Sequence, residues 1–295
     1  MKLKKVLYTV LSLVFTLSLF FASGCNNQQT LKETSKEGEE KTIAAVTVLP
    51  QKAFVEAVCG DLAEVVAIVP PGNSPGNYEP TPQEMEKFSK ASVYFTIGVP
   101  TEKANILPKA GNMKIVDLPA KVAEVYPDRE FSPGKRDPHI WLSPKRAKVM
   151  VETIAETMSG LDAGNAQTYR ANAAAFLKEL DRADTEIKET FAGIHNKKFI
   201  VLHPAYGYFA DDYGLEMYAL EQSGKEATPQ HLQDMIDLAD AENIKVIFSQ
   251  AEFDSKQPDA FAEEIGGEKV MLDPLSDDYI ANLEKIAQAI AGAMQ

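Results

Sequence analysis

Four histidines, His139, His195, His203 and His231, are the only imidazoles in this 295-residue chain, and two of them stand where chemistry is expected. His139 lies in Asp137-Pro138-His139-Ile140-Trp141-Leu142-Ser143-Pro144, a turn that runs straight into a helical pattern. His203 follows the apolar run Phe199–Leu202 and precedes Pro204-Ala205-Tyr206-Gly207-Tyr208-Phe209, while Asp273 follows Val270–Leu272 and precedes Pro274. In open α/β sheets, ligands gather at the carboxyl ends of the strands, which is where His203 and Asp273 would sit. Two neutral imidazole nitrogens and one carboxylate suit Zn²⁺ and are acceptable to Mn²⁺ or Fe²⁺. Read singly, each residue also has a plain structural role. A His before a helix caps it or faces water, and an Asp before Pro is a turn residue. His195 and His231 read as solvated, and Trp141, Tyr206, Tyr208 and Phe209 read as core. The distance in sequence from His139 to His203 is no local metal signature, so only the tertiary fold can join them.

Short β-branched runs alternate with helical patterns from Ile43 onward. The expected strands are Ile43–Val48, Val65–Val69, Val93–Ile97, Lys114–Asp117, Phe199–Leu202, Val246–Ser249 and Val270–Leu272. Each is short and apolar and most end on turn or capping residues, the mark of buried parallel strands. Helical patterns include Pro82–Ser89, Pro144–Ser159, Pro229–Ala241 and Asp277–Ala293. Such alternation predicts an α/β fold with parallel sheets flanked by helices. One segment breaks the rhythm. From about Ala163 to Gly193 a single helical stripe of Tyr169, Phe176, Leu180, Ile187 and Phe191 runs without proline. It predicts a rigid backbone helix (161–193) joining an N-terminal lobe (43–160) to a C-terminal lobe (194–295).

The chain carries a net charge of −13, which argues against nucleic acid as a partner and agrees with a cationic one. Two cysteines build no disulfide framework. Cys59 falls in the amphipathic run Phe54–Cys59 and reads as packing. Residues 1–24 have a Lys-rich start and an apolar stretch from Val6 to Phe21, the pattern of a secretory signal. Ala22-Ser23-Gly24-Cys25 resembles the cleavage site of bacterial lipoproteins, although Ala22 stands where Leu is usual. That resemblance implies lipidation of Cys25 and anchorage at the outer face of the cell membrane. Residues 25–42 are polar and charged, so they read as a flexible tether.

Four ordered motifs carry a wider resemblance. They are Pro71-Gly72-Asn73-Ser74-Pro75-Gly76-Asn77-Tyr78-Glu79-Pro80, Asp137-Pro138-His139-Ile140-Trp141-Leu142, His203-Pro204-Ala205-Tyr206-Gly207-Tyr208-Phe209 and Leu272-Asp273-Pro274-Leu275. Over residues 43–293 the chain resembles the solute-binding receptors of zinc and manganese ABC transporters. The resemblance implies two lobes, a monomer, a metal held between the lobes, and delivery to a membrane permease. It assigns His139, His203 and Asp273 as metal ligands. The family's first ligand, in Pro-His-x-Tyr-Glu-Pro, falls on Gly76, which has no side chain to offer. A three-ligand site completed by water is the reading adopted. Asn77 or Glu79 as a substitute donor, and loss of tight binding, are the alternatives. The His- and acid-rich loop of many zinc receptors is missing too.

Two other functions fit part of the pattern. Two His, one Asp and an open water position also describe a zinc hydrolase, but no His-Glu-x-x-His is present and only Asp211 or Asp212 offers itself as a base. The second is a surface interaction protein that keeps the fold without the metal. The receptor, not an enzyme, is the expectation. A long strut also predicts little change of shape on loading, concentrated around His203 and Asp273.

Overall fold

The computed structural model describes residues 41–222 and 224–294. The expected signal segment, Cys25 and nearly all of the tether lie outside these residues. Among the described residues no helix is long and apolar enough to cross a membrane.

The first half runs β1 (Thr42–Val46), α1 (Leu49–Cys59), β2 (Ala63–Ala67), α2 (Pro82–Ser89), β3 (Val93–Thr96), β4 (Lys114–Asp117) and α3 (Leu118–Ala123). Its strands form one parallel sheet in the order β2-β1-β3-β4. A small antiparallel hairpin follows, β5 (Glu130–Ser132) with β6 (Lys135–Arg136). Two long helices come next, α4 (Pro144–Leu161) and α5 (Ala166–Thr190). The second half runs β7 (Lys198–Val201), α6 (Gly207–Tyr213), β8 (Glu216–Ala219), α7 (Pro229–Ala241), β9 (Val246–Ser249), α8 (Gln257–Glu264), β10 (Glu268–Met271) and α9 (Tyr279–Ala293). Its strands form a second parallel sheet, β10-β9-β7-β8.

The alternation of side chains along each central strand explains why the sheets are covered on both faces. In the first sheet Ala44, Val46 and Phe95 face α1 and α4, while Ala45 and Tyr94 face Phe88 and Ile106 on the other side. In the second, Phe199, Val201 and Phe248 join the first of these cores, and Ile200 and Ile247 pack with Leu220 and Phe261. Polar residues stop and start the helices. Thr81, Asp117, Ser143 and Thr228 each accept a backbone N–H of the first turn, with proline at the helix start. Cys59 is buried, and burial pushes its thiol up to about 12, so it is inert filling.

The expected backbone helix is present with a break at its start. Ala163–Asn165 is a single 3₁₀ turn, and α5 proper has 25 residues, about 38 Å at ~1.5 Å per residue. It packs along α4, α1 and α9. Tyr169, Leu180 and Ile187 are buried along the predicted stripe. The join between the halves is wider than one strut, however. A single core runs through both, from Phe54 and Met150 by way of Leu180 to Phe199, Leu283 and Ile290. The last helix closes it: Tyr279 of α9 meets Phe54 of α1 edge-on, ring centroids 4.7 Å apart.

Four strands, β1, β2, β7 and β10, begin one or two residues earlier than the hydropathy suggests, on small or polar residues, and also end one or two residues earlier, because the apolar run continues past the last paired residue. Three strands and the short helices α3, α6 and α8 are absent from the expected ranges. β8 is an edge strand whose apolar run is interrupted by Glu216, with no residue fully buried, and β5 and β6 are almost wholly exposed and show no apolar run.

Candidate metal centre

Carboxyl ends of β3, β7, β8 and β9 open onto one cavity of about 740 Å³, which the Pro75-Gly76-Asn77 loop and the β5–β6 hairpin also line. His139 enters from the turn before α4, and His203 from the end of β7. The two histidines, 64 positions apart, meet there with Nε2 facing Nε2 at 3.4 Å.

Each ring is held from behind by a carboxylate. Asp137 Oδ1 lies 2.8 Å from His139 Nδ1 and also accepts the His139 backbone N–H at 2.9 Å. Glu221 Oε2 lies 2.6 Å from His203 Nδ1. A carboxylate only accepts, so Nδ1 of each ring carries the proton and each Nε2 presents its lone pair. Two lone pairs aimed at each other call for a cation between them. A proton is poorly suited. Burial holds the His139 imidazole below its usual range, against the opposing pull of Asp137. Two nitrogens bound to zinc at ~2.0–2.1 Å and a tetrahedral angle stand about 3.3–3.4 Å apart. The observed separation matches.

Aromatic packing fixes the rings. His203 stacks on Phe253 at 4.5 Å between centroids, and His139 packs against Trp141 at 5.2 Å and Phe131 at 6.1 Å. Trp141 Nε1 donates to the Pro274 carbonyl at 2.7 Å, and the Tyr279 hydroxyl donates to the Trp141 carbonyl. Behind Asp137, the Arg129 guanidinium sits 3.7 Å from both Asp137 Oδ2 and Asp211 Oδ2. It passes so close to Gly207 that a Cβ there would lie 2.1 Å from Arg129 Nε, which accounts for glycine at that position. At the end of β3, Glu102 accepts the N–H groups of Ile97 and Gly98 at 2.8 and 2.7 Å and holds the loop after that strand in place.

The other expected residues are placed differently. Gly76 and Asn77 line the cavity, but Glu79 does not. Asp273 lies outside the large cavity, on a smaller one of about 220 Å³. Its Oδ1 accepts the Leu275 N–H at 2.8 Å. Among the described residues no three His, Cys, Asp or Glu side chains are gathered to hold an ion. Asp212, considered as a base, accepts from Ser143 and pairs with Lys145 and with Arg146 at 3.2 Å. Neither Asp211 nor Asp212 lines the cavity. Sequence reasoning missed the orienting carboxylates Asp137 and Glu221. The first was visible two residues before His139, whereas Glu221 follows the unread strand β8.

Residues 45–293 match the family model for ZnuA, the periplasmic zinc-uptake complex component A. The chain belongs to this family. A crystal structure of a ZnuA is 37% identical, covers 87% of this chain and 100% of its own, and superposes with a TM-score of 0.82. The manganese-bound solute-binding protein FpvC of Pseudomonas aeruginosa is 26% identical, with coverage of 87% and 99% and a TM-score of 0.75. Among curated proteins, the iron ABC transporter substrate-binding lipoprotein MtsA of Streptococcus pyogenes serotype M1 is 27% identical over 93% of this chain and 96% of its own length. The two-sheet architecture of the ZnuA family is the fold described above.

Proposed function

We propose that this chain is an extracytoplasmic receptor that captures a divalent transition metal between its two sheets and hands it to an ABC-type permease. Zinc is the first choice and manganese the second. The carrying observation is the facing pair of Nε2 atoms, each with its Nδ1 committed to a carboxylate. His139 and His203 are the ligands in this reading, joined by a carboxylate from the second half; the family resemblance nominates Asp273. Such carboxylate–histidine pairs fix the tautomer and raise the basicity of a ligating imidazole. Family membership supports the transport role, and the relatives' printed names speak of zinc, manganese and iron. Cleavage before Cys25, lipidation of its thiol and the tether 25–42 would hold the folded part at the membrane as a monomer.

Calorimetric titration of metal-stripped residues 26–295 with Zn²⁺ and Mn²⁺ tests the reading. One-to-one zinc binding that disappears in both His139→Ala and His203→Ala is the expected result. Equal heats for wild type and both variants would end it.

A further inference from the structure

His139 and His203 come from different halves, so something must keep their Nε2 atoms within the span of one ion. Two bonds of ~2.1 Å bridge at most about 4.2 Å, so a widening of about 0.8 Å beyond the observed 3.4 Å leaves one imidazole unbound. We propose that Asp212 sets this separation, as the positioning residue of a buried ionic clamp that fastens the helix after His203 to the helix after His139; the assignment rests on the receptor reading above.

Both histidines are joined rigidly to those helices. After His139 comes one buried 3₁₀ turn, Ile140–Leu142, in which the Leu142 N–H reaches back to the His139 carbonyl at 3.2 Å. Ser143 then caps α4 by accepting the Arg146 N–H. After His203, the Ala205 N–H returns to the His203 carbonyl at 2.8 Å. The helix α6 starts at Gly207, with Tyr206, Tyr208 and Phe209 fully buried around its first turn. A shift between the starts of α4 and α6 is therefore passed on to the imidazole pair.

Asp212, on the second turn of α6, meets the first turn of α4. Its carboxylate is 5% exposed; it accepts from the Ser143 hydroxyl and pairs with Lys145 and with Arg146 at 3.2 Å. The Arg146 side chain, 6% exposed, also donates to the Ser143 hydroxyl at 3.2 Å and to the Pro127 carbonyl at 3.1 Å. Its guanidinium lies 4.4 Å from the centre of the Tyr208 ring, one turn back on α6. Buried charges are little screened by salt, and removing one leaves its partner buried alone. The neighbouring ties are weaker: the Tyr208 hydroxyl meets the Asp137 carbonyl at 3.2 Å, and Asp211, which lies 3.7 Å from Arg129, is more than half exposed. Asp212 does not line the cavity, so it acts on the metal only through the two helices.

The test uses the full-length chain, stripped of metal, with its Asp212→Asn, Lys145→Met and Asp181→Asn variants. The last removes an exposed pair between α5 and Lys148 of α4 and serves as control. Zinc affinity is read by competition with a chromophoric chelator, zinc release by excess chelator, and the ligand geometry by the visible spectrum of the Co²⁺ form. Thermal melts fix a temperature at which each variant is fully folded. Asp212→Asn is expected to weaken zinc about 10-fold or more, to speed its release and to alter the cobalt band, and Lys145→Met to weaken it about threefold. Asp181→Asn is expected to stay within about twofold of wild type. A folded Asp212→Asn with a lower melting temperature but wild-type affinity, release and cobalt band overturns the clamp, since its role would then be stability alone. An equal loss in Asp181→Asn does the same. Should Asp212→Asn fail to fold, Lys145→Met decides, and wild-type values in it overturn the clamp. A wild-type chain that binds neither Zn²⁺ nor Co²⁺ ends the receptor reading, and the clamp with it.

Discussion

Gly76→His restores an imidazole at the position where the family carries its first ligand, and the structure lets its effect be worked out. Gly76 does not adopt a left-handed backbone, so a side chain brings no conformational strain. An added Cβ would meet only Ser74 Oγ, at 3.3 Å. That hydroxyl, which accepts the Gly76 N–H at 3.3 Å, needs to move by a few tenths of an ångström. Structural zinc sites are worth roughly 10–16 kcal/mol over four ligands, or about 2.5–4 kcal/mol for each. Ordering the new side chain costs about 0.5–1.5 kcal/mol. The net gain is about 1–3.5 kcal/mol, which at ~1.4 kcal/mol per decade is about a 5- to 300-fold tightening for zinc. Competition titration of the wild type and Gly76→His, with Asn77→His as a neighbouring control, reads it directly. Tightening of less than about threefold in a correctly folded variant would refute the reasoning, because it would place the Pro75–Asn77 wall out of reach of the metal.

Glu221→Gln keeps the shape of the group behind His203 but removes its charge. Metal affinity should fall by about 10- to 100-fold while the melting temperature of the metal-free protein stays nearly constant; equal affinities would deny Glu221 its orienting role. Gly207→Ala drives a Cβ to 2.1 Å from Arg129 Nε and 2.8 Å from Asp137 Oδ2. Forced movement in such a packed place should destabilise the fold by about 1–3 kcal/mol and weaken metal binding through Asp137 and His139; denaturant unfolding and titration of the one variant check both effects. The pH dependence follows from His139. Its imidazole is held below the ordinary value, so below pH ~6.5 the unfolded chain takes up a proton that the native chain refuses. The unfolded state then binds more protons, and metal-free stability should fall as pH drops from 7.5 to 5.5. Urea melts at both values should show that fall diminished in His139→Asn.

The sheets were legible because their central strands are buried on both faces and so appear as short apolar runs. The helix starts were legible because Thr81, Ser143 and Thr228 each stand directly before a proline. The hairpin was not, since its side chains are exposed and carry no apolar pattern, and β8 was not, since Glu216 interrupts its apolar run and none of its residues is fully buried. Within the site, His139 and His203 drew notice through residue type and the motifs around them, but their 3.4 Å approach belongs to the packing of the two halves and could not be read from spacing.

The common core has a consequence for the order in which the molecule can fold. Phe54, near the start of the folded part, needs Tyr279 near its end, and Leu283 and Ile290 fill the same interior as Val46 and Phe95. Nascent chains fold domain by domain, amino end first, yet here the larger interior of the leading half is unfinished until the fifteen-residue helix α9 has been made. The outer cluster of Ala45, Phe88, Tyr94 and Ile106 can close within the leading half, but the shared interior is sealed only when that last helix arrives, so the two halves complete their packing together.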